Sequence, residues 1–388
     1  MSRLSSPAAF PALDAGITGL IAAGELAGAS LLVIRDGQVV HRAVHGLKDI
    51  ASRQPPAQDT IYRIYSMTKP VTAVAMMILW DRGLWSPEDP ISRHLPEFAR
   101  VIGPDGKAPS SPPNMGQLMT HTAGLSYGFD ANDTTDAAYI AEGVWQAEGL
   151  ADMVARLTKA PLAYEPGTRW RYAISMDVQG AVIERLTGRS LPDFMHEEIF
   201  ARLRMIDTDF YVPAEQLGRL ATLYRHSRSR GLVEAEAMLF GRDPGRIPKI
   251  ASGGGGLFST VDDYARFAQM LLGQGELEGV RIISAEAASL MCANHLSDEI
   301  MAGGYGVGHQ QIRPGFGHGF NGAVFTDPAR AGSNVGRGTY QWDGAAGTWF
   351  WVDPENDLIC VGMIQRMDDR SPPCQRLAQA WVADDLRR

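Results

Sequence analysis

The sequence predicts an α+β fold: a mainly antiparallel sheet flanked by N- and C-terminal helices, with a mostly helical lobe inserted between the first and last strands. Three observations predict it. Apolar residues recur at helical spacing near the start, at Leu13, Ile17, Leu20 and Ile21, and Gln375 to Leu386 reads as a closing helix. Strand-and-turn patterns lie just inside those helices. Between about residues 85 and 250, Pro/Gly/Asp-rich loops alternate with short helical stretches such as Leu150 to Leu157 and Asp177 to Leu186.

The elements follow in order. A helix over Phe10 to Leu26 leads into a hairpin, Ala29 to Ile34 and Val39 to Val44, joined through Arg35-Asp36-Gly37. After Ile61-Tyr62-Arg63-Ile64, the apolar positions Val71, Val74, Ala75, Ile78 and Leu79 form a helical face that stops near Gly83. Strands return at Thr339 to Trp342, Thr348 to Asp353 and Leu358 to Ile364, the last two joined by Asp353-Pro354-Glu355-Asn356-Asp357. Trp349, Phe350 and Trp351 alternate across one strand and are expected in the core. Gly253 to Gly256 is too short for a linker and fits close backbone packing. With 388 residues and 45% hydrophobic content the chain can bury a large core. We expect one domain over 1–388, built of a lobe from 1–84 plus 251–388 and an inserted lobe over 85–250.

A net charge of −8 argues against a nucleic-acid partner and favours a small molecule. No run approaches the roughly 20 apolar residues of a membrane helix, so no membrane partner is expected. Cys292, Cys360 and Cys374 contain no CxxC pair and read as thiols in a reducing compartment. The first residues carry no uninterrupted apolar segment, so the expected location is the cytoplasm.

Ser66-Met67-Thr68-Lys69 carries the chemistry. A serine and a lysine three apart at a helix start share one face. A lysine whose pKa is lowered by desolvation can take the serine proton, and the helix N-terminus favours the developing oxyanion. Pro70 fits a first helical turn. Around this pair stand Tyr62-Arg63-Ile64-Tyr65, His121-Thr122-Ala123-Gly124-Leu125, Glu165-Pro166-Gly167-Thr168, Tyr172-Ala173, Gly254-Gly255-Gly256-Leu257-Phe258-Ser259-Thr260 and Trp342-Asp343-Gly344.

In this order the segments resemble the serine β-lactamase and penicillin-binding superfamily, and within it the family VIII carboxylesterases, which are similar to class C β-lactamases. The resemblance spans nearly the whole chain and implies a β-lactamase-like fold. It implies Ser66 as acyl-forming nucleophile, Lys69 as its partner, and Tyr172 as a proton relay whose pKa Lys69 lowers. It also implies an oxyanion hole from the N–H groups of Ser66 and Ala345, with Trp342, Gly344 and Ile174 binding substrate. Two positions depart from the lactamase pattern. Trp342 replaces the lysine of K-T-G, and Ile174 replaces the asparagine of Y-x-N, so a β-lactam carboxylate and acylamino group lose their partners. The implied activity is hydrolysis of short-chain esters through an acyl-enzyme, without cofactor or metal. The alternatives are a β-lactamase or D-amino-acid peptidase, an acyltransferase, and, from another class, a catalytically inactive binding module.

Gly124-Leu125-Ser126-Tyr127-Gly128 matches the G-x-S-x-G elbow but lacks its strand and helix. His121 is read as a loop anchor. His41 and His45 have H-x-x-x-H spacing, but on a strand four residues span about 13 Å, too far to share an ion.

Overall fold

The computed structural model describes residues 10–237 and 243–387. Helix α1 (Pro11–Ala22), with proline at its first position, leads into the hairpin of β1 (Gly28–Arg35) and β2 (Gln38–Gly46). Asp36 and Gly37 both take positive φ, 51° and 70°, the backbone a tight two-residue hairpin turn requires. Then come α2 (Thr68–Asp81), α3 (Ser175–Thr187) and α4 (Val261–Leu272). Five strands follow: β3 (Phe316–His318), β4 (Ala323–Phe325), β5 (Tyr340–Asp343), β6 (Trp349–Asp353) and β7 (Leu358–Met363). Helix α5 (Cys374–Leu386) ends the described chain.

The strands form one seven-stranded sheet in the order β3-β4-β5-β6-β7-β1-β2, antiparallel throughout. The first hairpin therefore docks on the last strand, with Ser30 opposite Met363. Strand β1 is covered on both faces, which is why Ala-Ser-Leu-Leu-Val-Ile reads as a nearly continuous apolar run. Strand β6 sorts its aromatics by pleat. Trp349 and Trp351 pack with Leu13, Ile17, Ala378 and Val382 of α1 and α5, whereas Phe350 joins the core on the other face with Val71, Tyr264 and Phe267. Asp385 of α5 accepts hydrogen bonds from the N–H groups of Ala12 and Leu13 at 3.0–3.1 Å, satisfying free donors at the start of α1.

The expected helices and strands are present within a few residues of their predicted bounds. Strands β3 and β4 and the hairpin Tyr224–Ser227/Gly231–Glu234 were not predicted; strands of three or four residues hardly complete one period of alternation. Among the described residues no helix is long and apolar enough to cross a membrane.

Gly362 of β7 lies opposite Trp349, and an added methyl group there would stand 2.0 Å from the indole ring. Gly362→Ala should cost about 1–3 kcal/mol of stability through overpacking, read as a lower urea midpoint. An unchanged midpoint would mean that the Trp349 ring is free to shift.

Candidate active site

The site begins in a constrained turn. Tyr65 takes φ +42°, a sparsely populated region for a side chain of its size, and opens a 3-10 turn over Tyr65–Met67 that runs into α2. Neighbours fix this turn from three directions. The Ile64 N–H donates to the Leu257 carbonyl (3.1 Å), the Leu257 N–H to Thr68 Oγ1 (3.1 Å), and the Tyr264 hydroxyl to the Met67 carbonyl (2.7 Å). Helix α2 is buried from Thr68 to Leu79, so Lys69 projects into dry interior.

Ser66, Lys69 and Tyr172 are brought together. Ser66 Oγ lies 2.6 Å from the Tyr172 hydroxyl, and Lys69 Nζ donates to Ser66 Oγ at 3.1 Å. Lys69 also donates to the Gly254 carbonyl (2.5 Å) and to the Tyr127 hydroxyl (3.4 Å). Burial pushes the Lys69 ammonium down to about 7, against the carboxylates of Asp177 and Asp343, which favour its charged form. Tyr172 departs from expectation. Burial pushes its phenol up, with the hydrogen bond from Ser66 opposing. Burial thus favours the neutral hydroxyl of Tyr172, and of the two groups it is Lys69 whose proton is loosened from its ordinary value.

The end of β5 completes the site. Gly344 approaches the nucleophile turn so closely that a Cβ would lie 2.3 Å from the Ile64 carbonyl oxygen, and Thr348 Oγ1 donates to that same carbonyl at 3.2 Å. Through this contact the exposed Ala345 reaches the cavity that Ser66 also lines. Ser66 and Ala345 line a cavity of about 470 Å³ with Tyr127, Phe129, Tyr172 and Trp342. Neither lysine nor arginine is among its described lining residues, while Asp343, Asp368 and Asp369 are. A ladder of aromatic rings forms one wall. Phe129 and Tyr127 stack at 4.4 Å, Tyr127 and Tyr172 at 5.2 Å, and Tyr172 and Trp342 at 6.1 Å.

Ile174 requires correction. Its side chain is fully buried in the core and absent from the cavity wall, because it precedes the first turn of α3 and faces inward. It is a packing residue, not a substrate contact. Ser126 is 1% exposed and is not on the cavity wall; its segment follows the short helix Met115–Met119 instead of a strand. His121 is a loop anchor: Nδ1 accepts from the Ala173 N–H (3.1 Å), and its carbonyl accepts from the Arg171 N–H (3.0 Å) and the Tyr164 hydroxyl (2.9 Å). These bonds hold the segment bearing Tyr172.

The His41 and His45 reading also changes. Both Nε2 atoms reach the same Asp14 oxygen, at 3.1 and 2.7 Å, because side chains on one face of a strand lean along it. They clip β2 to α1. Among the described residues no group of three or more His, Cys, Asp or Glu is arranged to hold a metal ion.

Sequence reasoning missed three participants: Tyr127, the Gly254 carbonyl and Asp177. The glycine run is needed because a Cβ on Gly253 would meet the Met176 carbonyl at 2.5 Å, and one on Gly254 would meet Asp177 Oδ2 at 2.8 Å.

Comparison with known proteins adds independent findings. The beta-lactamase family model matches residues 13–384. The chain is 36% identical over 369 residues to Protein Rv1367c of Mycobacterium tuberculosis, covering 92% of this chain and 90% of that one. It is 33% identical over 362 residues to Esterase EstB of Burkholderia gladioli, covering 88% and 86%. Among solved structures, EstCE1, described as a hydrolase with promiscuous acyltransferase activity, superposes with a TM-score of 0.82 at 25% identity, covering 96% and 97%.

Gly344→Ala should push β5 away from Ile64 and disturb the alignment of Ser66 with Ala345. On the expectation that the Ala345 N–H is an oxyanion donor, whose loss costs on the order of 100-fold in kcat, a drop of that size with little change in KM is expected in steady-state ester hydrolysis. Wild-type kcat in this variant would show that the close approach is not needed.

Proposed function

The chain belongs to the beta-lactamase family, and on that premise we propose that it is a serine carboxylesterase acting on small neutral esters through an acyl-enzyme on Ser66. The observation that carries the reading is the Tyr172–Ser66–Lys69 hydrogen-bonded set, with Ser66 at its centre, opening on a cavity with no lysine or arginine among its described lining residues. The likeness to Esterase EstB and EstCE1 supports the same reaction class.

Neutral Lys69 accepts the Ser66 proton as Oγ attacks the ester carbonyl, and the new C–O bond leaves negative charge on the former carbonyl oxygen. The N–H groups of Ser66 and Ala345 are the proposed donors to that oxygen. Collapse expels the alkoxide, which takes the Tyr172 proton, and Lys69 returns a proton to Tyr172. Water then attacks the acyl-enzyme along the reverse path, releasing acid and free Ser66. Trp342, Gly344 and the aromatic ladder form the walls for the acyl and alcohol groups.

The substrate is read as neutral because a carboxylate would be desolvated beside Asp343, with no lysine or arginine among the described residues of the cavity wall to receive it. A second reading, transfer of the acyl group to an alcohol in place of water, is supported by the likeness to EstCE1, a hydrolase with promiscuous acyltransferase activity. Cys292, Cys360 and Cys374 are free thiols, which supports a reducing, cytoplasmic setting.

Ser66→Ala should abolish hydrolysis of p-nitrophenyl butyrate, and a fluorophosphonate should add once, to the Ser66 peptide, by mass spectrometry. Labelling of Ser126 with retained Ser66→Ala activity would overturn the assignment. For the same ester, kcat/KM should exceed that for a penicillin at least about a thousandfold, on the order of 4 kcal/mol. Because Lys69 must lose its proton first, kcat/KM should rise with pH through about 7; a profile flat from pH 5 to 9 would exclude Lys69 as the base.

A further inference from the structure

We propose that Asp177 is a positioning residue of this site: its carboxylate fastens the glycine strap that holds Lys69, and it supplies the buried negative charge against which Lys69 titrates. Asp177 stands in the first turn of α3 and is fully buried. Its Oδ1 accepts from Ser252 Oγ at 2.5 Å and from the Gly254 N–H at 3.4 Å. The Gly254 carbonyl, on the same residue, receives the Lys69 ammonium at 2.5 Å. One peptide unit away from the carboxylate is therefore the acceptor that aims Lys69 at Ser66.

The second oxygen, Oδ2, is buried with no hydrogen-bond partner. A group needed only to hold Ser252 and Gly254 would not require that oxygen, and a dry unpaired carboxylate oxygen is costly. What it offers is charge near Lys69. The groups facing Lys69 from the surrounding elements are Asp177 of α3, Asp343 of β5, and Ser66, Tyr127 and Tyr172. His121 is also close enough to interact with its charge. Burial pushes Tyr127, Tyr172, Asp177 and Asp343 up and His121 down; for Asp177 the hydrogen bonds from Ser252 and Gly254 and the charge of Lys69 oppose that push and favour the carboxylate. An ionised Asp177 favours the ammonium of Lys69 and delays its deprotonation to higher pH. Removing that charge has the opposite sign.

Asp177→Asn keeps an oxygen for Ser252 and Gly254 and removes the charge. The acidic limb of kcat/KM for p-nitrophenyl butyrate should move to lower pH by about one unit. Ser252→Ala loosens the strap and leaves the charge, so it should lower kcat several-fold without moving the limb. A lower plateau with an unmoved limb in Asp177→Asn would reduce Asp177 to a structural strut and overturn the proposal, as would a limb moved to higher pH. Should Asp177→Asn fail to fold, carbon-13 NMR of the wild-type enzyme decides. The Asp177 carboxyl carbon should carry the shift of an ionised carboxylate over the pH range in which activity rises, and the shift of a protonated acid throughout that range overturns the proposal. The inference rests on Lys69 serving as the base. If that reading fails, Lys69→Ala stays active and Ser66 goes unlabelled; if only the present inference fails, both of those results stand and the limb alone is unmoved.

Discussion

An ammonium group with no exposed surface is costly to place in a protein interior, on the order of several kcal/mol even after relaxation, and Lys69 is such a group. Much of the surrounding architecture answers to it. Helix α2 holds its backbone in the core, and Asn321 ties the Lys69 carbonyl to Gln179 of α3 through its side chain. The Gly253–Gly256 strap supplies a carbonyl, Ser66 a hydroxyl, and the rings of Tyr127 and Tyr172 lie 5.5 and 4.6 Å beneath the charge. The same dryness that makes the site costly brings an amine within reach of a base's role at neutral pH.

The aromatic ladder has two tasks. Its inner rings, Tyr127 and Tyr172, flank Lys69 and exclude water from it, while Phe129 at the outer end is 60% exposed at the cavity wall. Binding surface and desolvating lining are thus one continuous stack. Trp342 extends that stack where a lactamase-like strand would carry a lysine, so the position that would receive a carboxylate instead presents an indole.

Legibility in the sequence followed length and periodicity. The terminal helices, the first hairpin and β5 to β7 were readable because each runs long enough for its apolar period to repeat, and Asp36-Gly37 announced its turn chemically. Strands β3 and β4, at three residues each, carry no such signal. Within the site, Ser66, Lys69 and Tyr172 were readable because their residue types and order match a known chemistry. Asp177 was not: an acid in the first turn of a helix is ordinary, and nothing in the chain distinguishes a buried one from an exposed one. Tyr127 was hidden inside a pattern that draws attention to Ser126. Ile174 was misread because motif register gives a position in the chain and not the direction of a side chain at a helix start. For His41 and His45 the separation read from rise per residue measures backbone alone, and their ring nitrogens converge on Asp14.

The docking of the first hairpin on the last strand bears on how the enzyme is made. Strand β1 is interior to the sheet, yet its neighbour β7 is more than 300 residues later, as the pairing of Ser30 with Met363 shows. Ser66 likewise waits for Gly344 and Ala345, which are among the later residues to leave the ribosome. Contacts of such separation demand large loop closures and form late. A nascent chain therefore carries one edge of β1, the one away from β2, without a partner until β7 is made, and an open edge of this kind invites chaperone binding and aggregation.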